Sequence, residues 1–342
     1  MKTRAFVLAG LAAILLTAGG AVADITIETV PVGNPSNAAD STGYGAVDYE
    51  YSIGKYEVTA GQYCAFLNAV DPGGSNPYGL YYSSMDSSSY GCQITWNVGS
   101  STYDFSGRPS GAEADWINRP VNCVSWGDAA RFANWLHNGQ PHQQVTGNPA
   151  SDLGLTEDGA YSLNGATSDA ALLAVDREDD WKWAITSEDE WYKAAYHKND
   201  GATGNYFDYP TSSDRVPSND LIDPDPGNNA TFYDNGYTIG SPYWRTEVGA
   251  HENSDSPYDT FDQGGTVYEW NEAVIGSYRG VRGGAFGLDV DYLHASYRGS
   301  INPAGEGSGI VFRVSEVPEP ASMAVLTLGS IGVLLRRRRL RR

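Results

Sequence analysis

Asp262 and Glu269 stand at the two ends of a short stretch, FDQGGTVYEW. The two glycines between them leave the backbone carbonyls of Gly265 and Val267 accessible. Two carboxylates and two carbonyls make four hard oxygens in one irregular segment, the donor set that calcium prefers. The stretch is therefore either a calcium site or a solvated acidic turn. Further on, the chain reads RGVRGGAFGLDVDYLHASYRGSINPAGEGSGIVFRV. Its middle, from Ala285 to Gly309, is rich in Gly, Asp, Asn and Ser and is expected to be an irregular exposed loop, the kind of segment that carries function on a rigid scaffold. Tyr292, His294 and Tyr297 in this loop suit contact with a sugar or a peptide by stacking and hydrogen bonds.

Softer metal chemistry has little to work with. The only thiols are Cys64, Cys92 and Cys123, with no C-x-x-C pair among them. Cys64 lies among apolar residues at helical spacing and reads as a small buried hydrophobe. A Cys92–Cys123 bridge is left open by the sequence. His137 and His142 are five residues apart, which suits no single helix face, so a zinc or iron site is not expected.

Three helices should position these groups. After Thr59, a candidate N-cap, Tyr63, Phe66, Leu67 and Val70 recur at i, i+3, i+4 and i+7. Ser125 opens WGDAARFANWLH, with Ala129, Phe132, Ala133 and Leu136 on one face. Ser187 opens EDEWYKAAYH, and Glu190 three residues on completes a capping box; Trp191, Ala194 and Ala195 form its apolar stripe. In ITWNVGSSTYDF the NVGSS centre suits a hairpin turn between two strands. The rest is rich in Gly, Ser, Asn, Asp and Tyr, with no repeat and no long linker. One α+β domain with many ordered loops is the expected fold class.

The ends carry addresses. MKTR, an apolar run from Ala5 to Leu16 and small residues at Ala21 and Ala23 form a secretory signal, so residues 1–23 are expected to be removed before Asp24. The other end, VPEPASMAVLTLGSIGVLLRRRRLRR, joins Pro-Glu-Pro to a run of 15 mostly apolar residues and then six arginines within seven residues. As a helix that run reaches about 22 Å, short of a hydrocarbon core of about 30 Å. The chain has 22 basic and 42 acidic residues; setting aside Lys2, Arg4, Glu319 and the six terminal arginines leaves 14 and 41, a net charge of −27. Such a surface repels nucleic acid and anionic headgroups.

Six motifs in order, YSIGKYEVTAGQYCAFLNAV, NRPVNCVSWGDAARFANWL, AITSEDEWYKAAYH, VGAHENSDSPYDTFDQGGTVYEWNE, VRGGAF and VFRV, resemble the sulfatase-modifying-factor, or formylglycine-generating-enzyme, domain over residues 45–314. The resemblance implies a single domain, 24–316, with a loop-rich variant of the C-type-lectin-like fold. It also implies calcium at Asp262, Gly265, Val267 and Glu269, and a second site that would use Asn229 and the Ala230 carbonyl. Active members of that family oxidise a cysteine to formylglycine with O2 and copper(I) held by two thiolates just after the Gly-Gly motif. Here those positions fall on Leu288 and near Asp291 to Leu293, so copper is not expected and no catalytic residue is assigned. The VPEP tail, residues 317–342, resembles a PEP-CTERM sorting signal, which implies transient membrane insertion, an exosortase-type partner and display at the cell surface or in the extracellular matrix. A non-catalytic binding or matrix protein is the expected function; the competing reading is an oxidoreductase of the formylglycine-generating type with unrecognised metal ligands.

Overall fold

The computed structural model describes residues 24–87, 89–108 and 111–317. The secretory signal and the apolar, arginine-rich tail lie outside the described residues. Within them, no helix is long and apolar enough to cross a membrane.

Short strands dominate. In chain order they are β1 (Thr29–Val32), β2 (Tyr51–Gly54), β3 (Thr95–Asn97), β4 (Thr102–Asp104), β5 (Trp183–Ile185), β6 (Tyr268–Ile275), β7 (Tyr278–Arg282), β8 (Gly299–Ile301), β9 (Ile310–Phe312) and β10 (Val314–Glu316). Five helices interrupt them: α1 (Ala60–Val70), α2 (Ala114–Ile117), α3 (Trp126–His137), α4 (Asp169–Leu173) and α5 (Glu188–Tyr196). One antiparallel sheet runs β1-β2-β10-β5 and joins both ends of the domain. A second runs β8-β7-β6-β9, with β6 and β9 parallel. β3 and β4 form the expected hairpin across the NVGSS turn.

The three expected helices form where their apolar periodicity lies. Thr59, Ser125 and Ser187 each cap by accepting from the third helical residue, and each cap is reciprocated by that residue's side chain: Gln62, Asp128 and Glu190. Two free N–H groups are thus satisfied at each helix start. α2 and α4 are single turns, too short to leave a periodic signal. Cys92 lies in an irregular segment just ahead of β3.

The main core is aromatic. Phe66 of α1 meets Phe132 of α3 edge to face at 5.3 Å, and Phe132 meets Phe312 of β9 at 5.2 Å. The Trp270 indole N–H donates to the Val124 carbonyl at 3.0 Å, tying β6 to the entrance of α3. A second kind of interior surrounds α5, β6 and β7. There the Glu188 carboxylate is shared by Arg282 at 2.7 Å and Arg298 at 2.6 Å, and Arg177 joins Glu190 to Glu272, both at 2.7 Å. Arg313, fully buried, pairs with Glu269 at 2.9 Å, so Arg298 and Arg313 are both ion-paired scaffold residues.

Candidate functional site

The segment after the Gly-Gly pair is less open than its composition suggests. Gly283 and Gly284 sit at φ +97° and +79°, and a Cβ at Gly283 would stand 2.7 Å from the Gln263 carbonyl oxygen, so the turn needs glycine there. Beyond it, Val290–Leu293 form a 3-10 turn and Gly299–Ile301 pair with β7, so the expected irregular loop contains a turn and a strand. Leu293 is fully buried among Tyr209, Ala230 and Phe232, and its carbonyl accepts from the Tyr196 hydroxyl at 3.0 Å.

That turn sorts the three expected contact residues. Tyr292 and Tyr297 come together, ring centroids 4.7 Å apart. Tyr268 of β6 completes the group: its ring lies 6.2 Å from Tyr297, and its hydroxyl donates to the Tyr297 hydroxyl at 3.1 Å. Sequence reading missed Tyr268 because it sits in a strand-like run, VYEW, with no turn residue beside it. His294 is drawn elsewhere. Its Nδ1 meets the Ser296 hydroxyl at 2.8 Å, and its ring stands edge-on to Tyr209 at 5.3 Å. The three half-buried tyrosines form a small aromatic cluster whose hydroxyls can donate and accept; His294 is not part of it.

The acidic segment is buried. Asp262, at φ +62°, accepts from the Gly249 N–H at 2.6 Å through one carboxylate oxygen. Gly265, at φ +87°, leaves no room for a side chain, since a Cβ would stand 2.2 Å from the Thr231 carbonyl oxygen. Val267 is fully buried. Glu269 receives Arg313 through both oxygens, at 2.9 and 3.0 Å, and also the Trp191 indole N–H at 2.8 Å. Sequence reading missed a third carboxylate. Glu57, from the start of the chain, is fully buried 3.8 Å from Arg313, and neither of its oxygens has a hydrogen bond. Burial first, then the nearby Asp262, pushes the Glu57 carboxyl well above its usual range; Asp262 is pushed up to about 6, again mainly by burial. The buried Glu57 and Glu269 and the half-buried Asp262 thus gather around one guanidinium. Among the described residues no group of three or more His, Cys, Asp or Glu side chains is gathered as metal ligands. A cation here would depend on the carbonyls as much as on the acids.

At the second expected site, the Asn229 side chain donates to Asp225, and its backbone N–H donates to the Ser254 hydroxyl. The Ala230 carbonyl lies 3.5 Å from the Thr238 hydroxyl, which donates to it. The thiols are free and buried. Burial pushes Cys64 and Cys123 up to about 12, which disfavours the thiolate that metals need. Cys92 Sγ lies 3.9 Å from the carbonyl oxygen of Asn122, the residue before Cys123, so these two distant motifs do meet in the fold.

Comparison with known proteins agrees with this architecture. A variable protein 1 from Treponema denticola matches at 18% identity, covering 86% of this chain and 98% of its own, with a TM-score of 0.50. CarF matches at 18% identity over 86% and 99% (TM-score 0.47), and PvdO from Pseudomonas aeruginosa at 16% over 85% and 92% (TM-score 0.44). The first shows the shared fold, the formylglycine-generating variant of the C-type-lectin-like architecture. No curated protein matches the chain. The PEP-CTERM protein-sorting motif matches residues 316–339, which marks an exported, surface-sorted protein recognised by an exosortase-type system. The sulfatase-modifying factor enzyme 1-like domain matches residues 23–316, and the chain belongs to that family.

Proposed function

We propose that this is a non-catalytic binding domain, displayed after sorting, that contacts a glycan or protein ligand through the loop 285–309. The cluster of Tyr268, Tyr292 and Tyr297 is the observation that carries it: a pre-formed aromatic group has two of its rings on the segment where active relatives would hold copper and the third on β6 beside it. Leu288 and Leu293 stand at the positions that the resemblance assigns to thiolates, and hydrocarbon cannot hold copper(I). Calcium at Asp262, Gly265, Val267 and Glu269 has a structural role in this reading. It is supported by the electrostatics of the segment: burial and repulsion between neighbouring carboxylates hold the Glu57 and Asp262 carboxyls above their ordinary range, and a bound cation would relieve that. The same reading removes residues 1–23 on export and cuts the tail near Pro318-Glu319-Pro320. The test pairs two assays on one preparation. Ligand binding should be lost in Tyr292→Ala/Tyr297→Ala with folding intact, and a sulfatase-type cysteine peptide should gain no formylglycine when copper and O2 are supplied. Formylglycine above a copper-only control would overturn the proposal.

A further inference from the structure

A second aromatic surface starts from Phe286 at the beginning of that loop and takes its other rings from Tyr90 and from the stretch 233–244. Phe286 and Tyr90 stack at 6.4 Å, Tyr90 meets Trp244 at 5.4 Å, Trp244 meets Tyr237 edge to face at 4.8 Å, and Tyr237 meets Tyr233 at 5.1 Å. Phe286 and Trp244 are half-buried, Phe286 against the main core, and root the run there. Tyr90, Tyr233 and Tyr237 keep 45%, 41% and 47% of their surface exposed. Scattered exposed rings need no explanation, but a contiguous run of them marks a binding surface.

The run is held rigidly from behind. The Tyr90 carbonyl accepts from Arg245 at 2.8 Å and from Asn122 at 2.7 Å, and Arg245 is itself fully buried. The Tyr233 N–H donates to the Leu288 carbonyl at 2.8 Å, fastening the far end to the loop. Trp244 sits at φ +59°, a left-handed conformation that bulky residues rarely adopt. Strain of this kind persists where the surrounding structure imposes it, and it clusters at ligand clamps. Rings fixed in advance lose little freedom when a ligand arrives.

The polar groups beside the rings select the ligand. Tyr233 and Tyr237 flank an exposed turn, Asp234-Asn235-Gly236, in which the Asn235 amide donates to the Asp234 carboxylate at 2.8 Å. The arginines behind the surface, Arg245 and Arg119, are buried, so they offer an anion no exposed charge. The strong negative charge of the exported part repels anions further. A neutral sugar meets all of these terms. Its C–H face packs on a ring, and its hydroxyls donate to a carboxylate or amide oxygen and accept from an amide or phenol. We propose that Phe286, Tyr90, Trp244, Tyr237 and Tyr233 form a platform for a neutral pyranose chain, with Asp234 and Asn235 taking its hydroxyls.

The site goes beyond the loop proposed above and uses none of its tyrosines, so the two can fail separately. The full chain, in mild detergent, would be titrated with neutral hexasaccharides of glucose, mannose and N-acetylglucosamine, with polygalacturonate and oligolysine as charged controls. Tryptophan fluorescence and calorimetry are the readouts. At least one neutral hexasaccharide should bind, and Tyr237→Ala should weaken it about tenfold. Asp234→Ala, at an exposed turn with little risk to folding, should weaken it as well. Absence of any neutral-sugar binding, preference for either charged control, or affinity unchanged in both variants would overturn the platform. Binding lost in Tyr292→Ala/Tyr297→Ala but kept in Tyr237→Ala would also overturn it, while leaving the loop reading intact.

Discussion

Around α1 and α3 the interior is made of rings, with Tyr63 and Phe132 packed against Phe312 and Phe66 and Trp135 against Phe132. Around α5, β6 and β7 it is made of charge, with Arg177, Arg282, Arg298 and Arg313 each joined to a buried glutamate. Arg298 of the charged region reaches solvent. The two regions fail in different ways. A hydrocarbon interior responds to volume, and neighbouring side chains can shift to absorb a small change. An ionic interior responds to parity, because removing one partner strands the other in a medium that cannot solvate it.

Paired substitutions test that contrast most strongly. Arg313→Met keeps the length and apolar stem of the side chain but leaves Glu57, Asp262 and Glu269 with no cation, and should cost about 3–5 kcal/mol in chemical unfolding. Phe66→Leu, equally buried, should cost about 1.5 kcal/mol or less. Equal losses would show that the charged region behaves like ordinary core. Calcium gives the next largest effect. With a dissociation constant of about 10⁻⁴ M, 1 mM calcium should stabilise the fold by about 1.4 kcal/mol over EDTA, and Asp262→Ala should abolish most of that gain. Identical melts in EDTA and in calcium would mean that the carboxylates find their balance without a cation.

The smallest effect sits at the edge of the ring-built core. Glu306, half-buried beside Asp128, is pushed up to about 8, mainly by burial and then by that aspartate. The folded state therefore holds its proton more tightly than the unfolded chain, where glutamate titrates near 4.3. Its contribution is complete below about pH 4 and is lost as pH rises toward 8. Glu306→Gln should flatten the fall in melting temperature over that window, by about 1–2 °C. An unchanged pH profile would assign the slope to other groups.

What could be read from the sequence follows the same division. The three long helices and their caps were legible because a cap and its reciprocating side chain lie three residues apart, and an apolar stripe repeats within two turns. Glu269 and Arg313 are 44 residues apart, Glu188 and Arg298 are 110, and nothing local links either pair. The loop tyrosines were legible as a pair because they share one segment. Tyr268 and Glu57 were not, since each reaches its partners only through sheet topology. The platform gathers positions 90, 233, 237, 244 and 286, which no window of sequence contains.

β10 closes the sheet that β1 and β2 begin, pairing Ser315 with Ile53 between β2 and β5. Non-local pairing of this kind is slow to form. That strand runs directly into the sorting motif, whose match begins at residue 316. The sorting address is thus joined directly to the strand that closes the sheet, so loss of β10 pairing would loosen the domain at the end by which it is sorted.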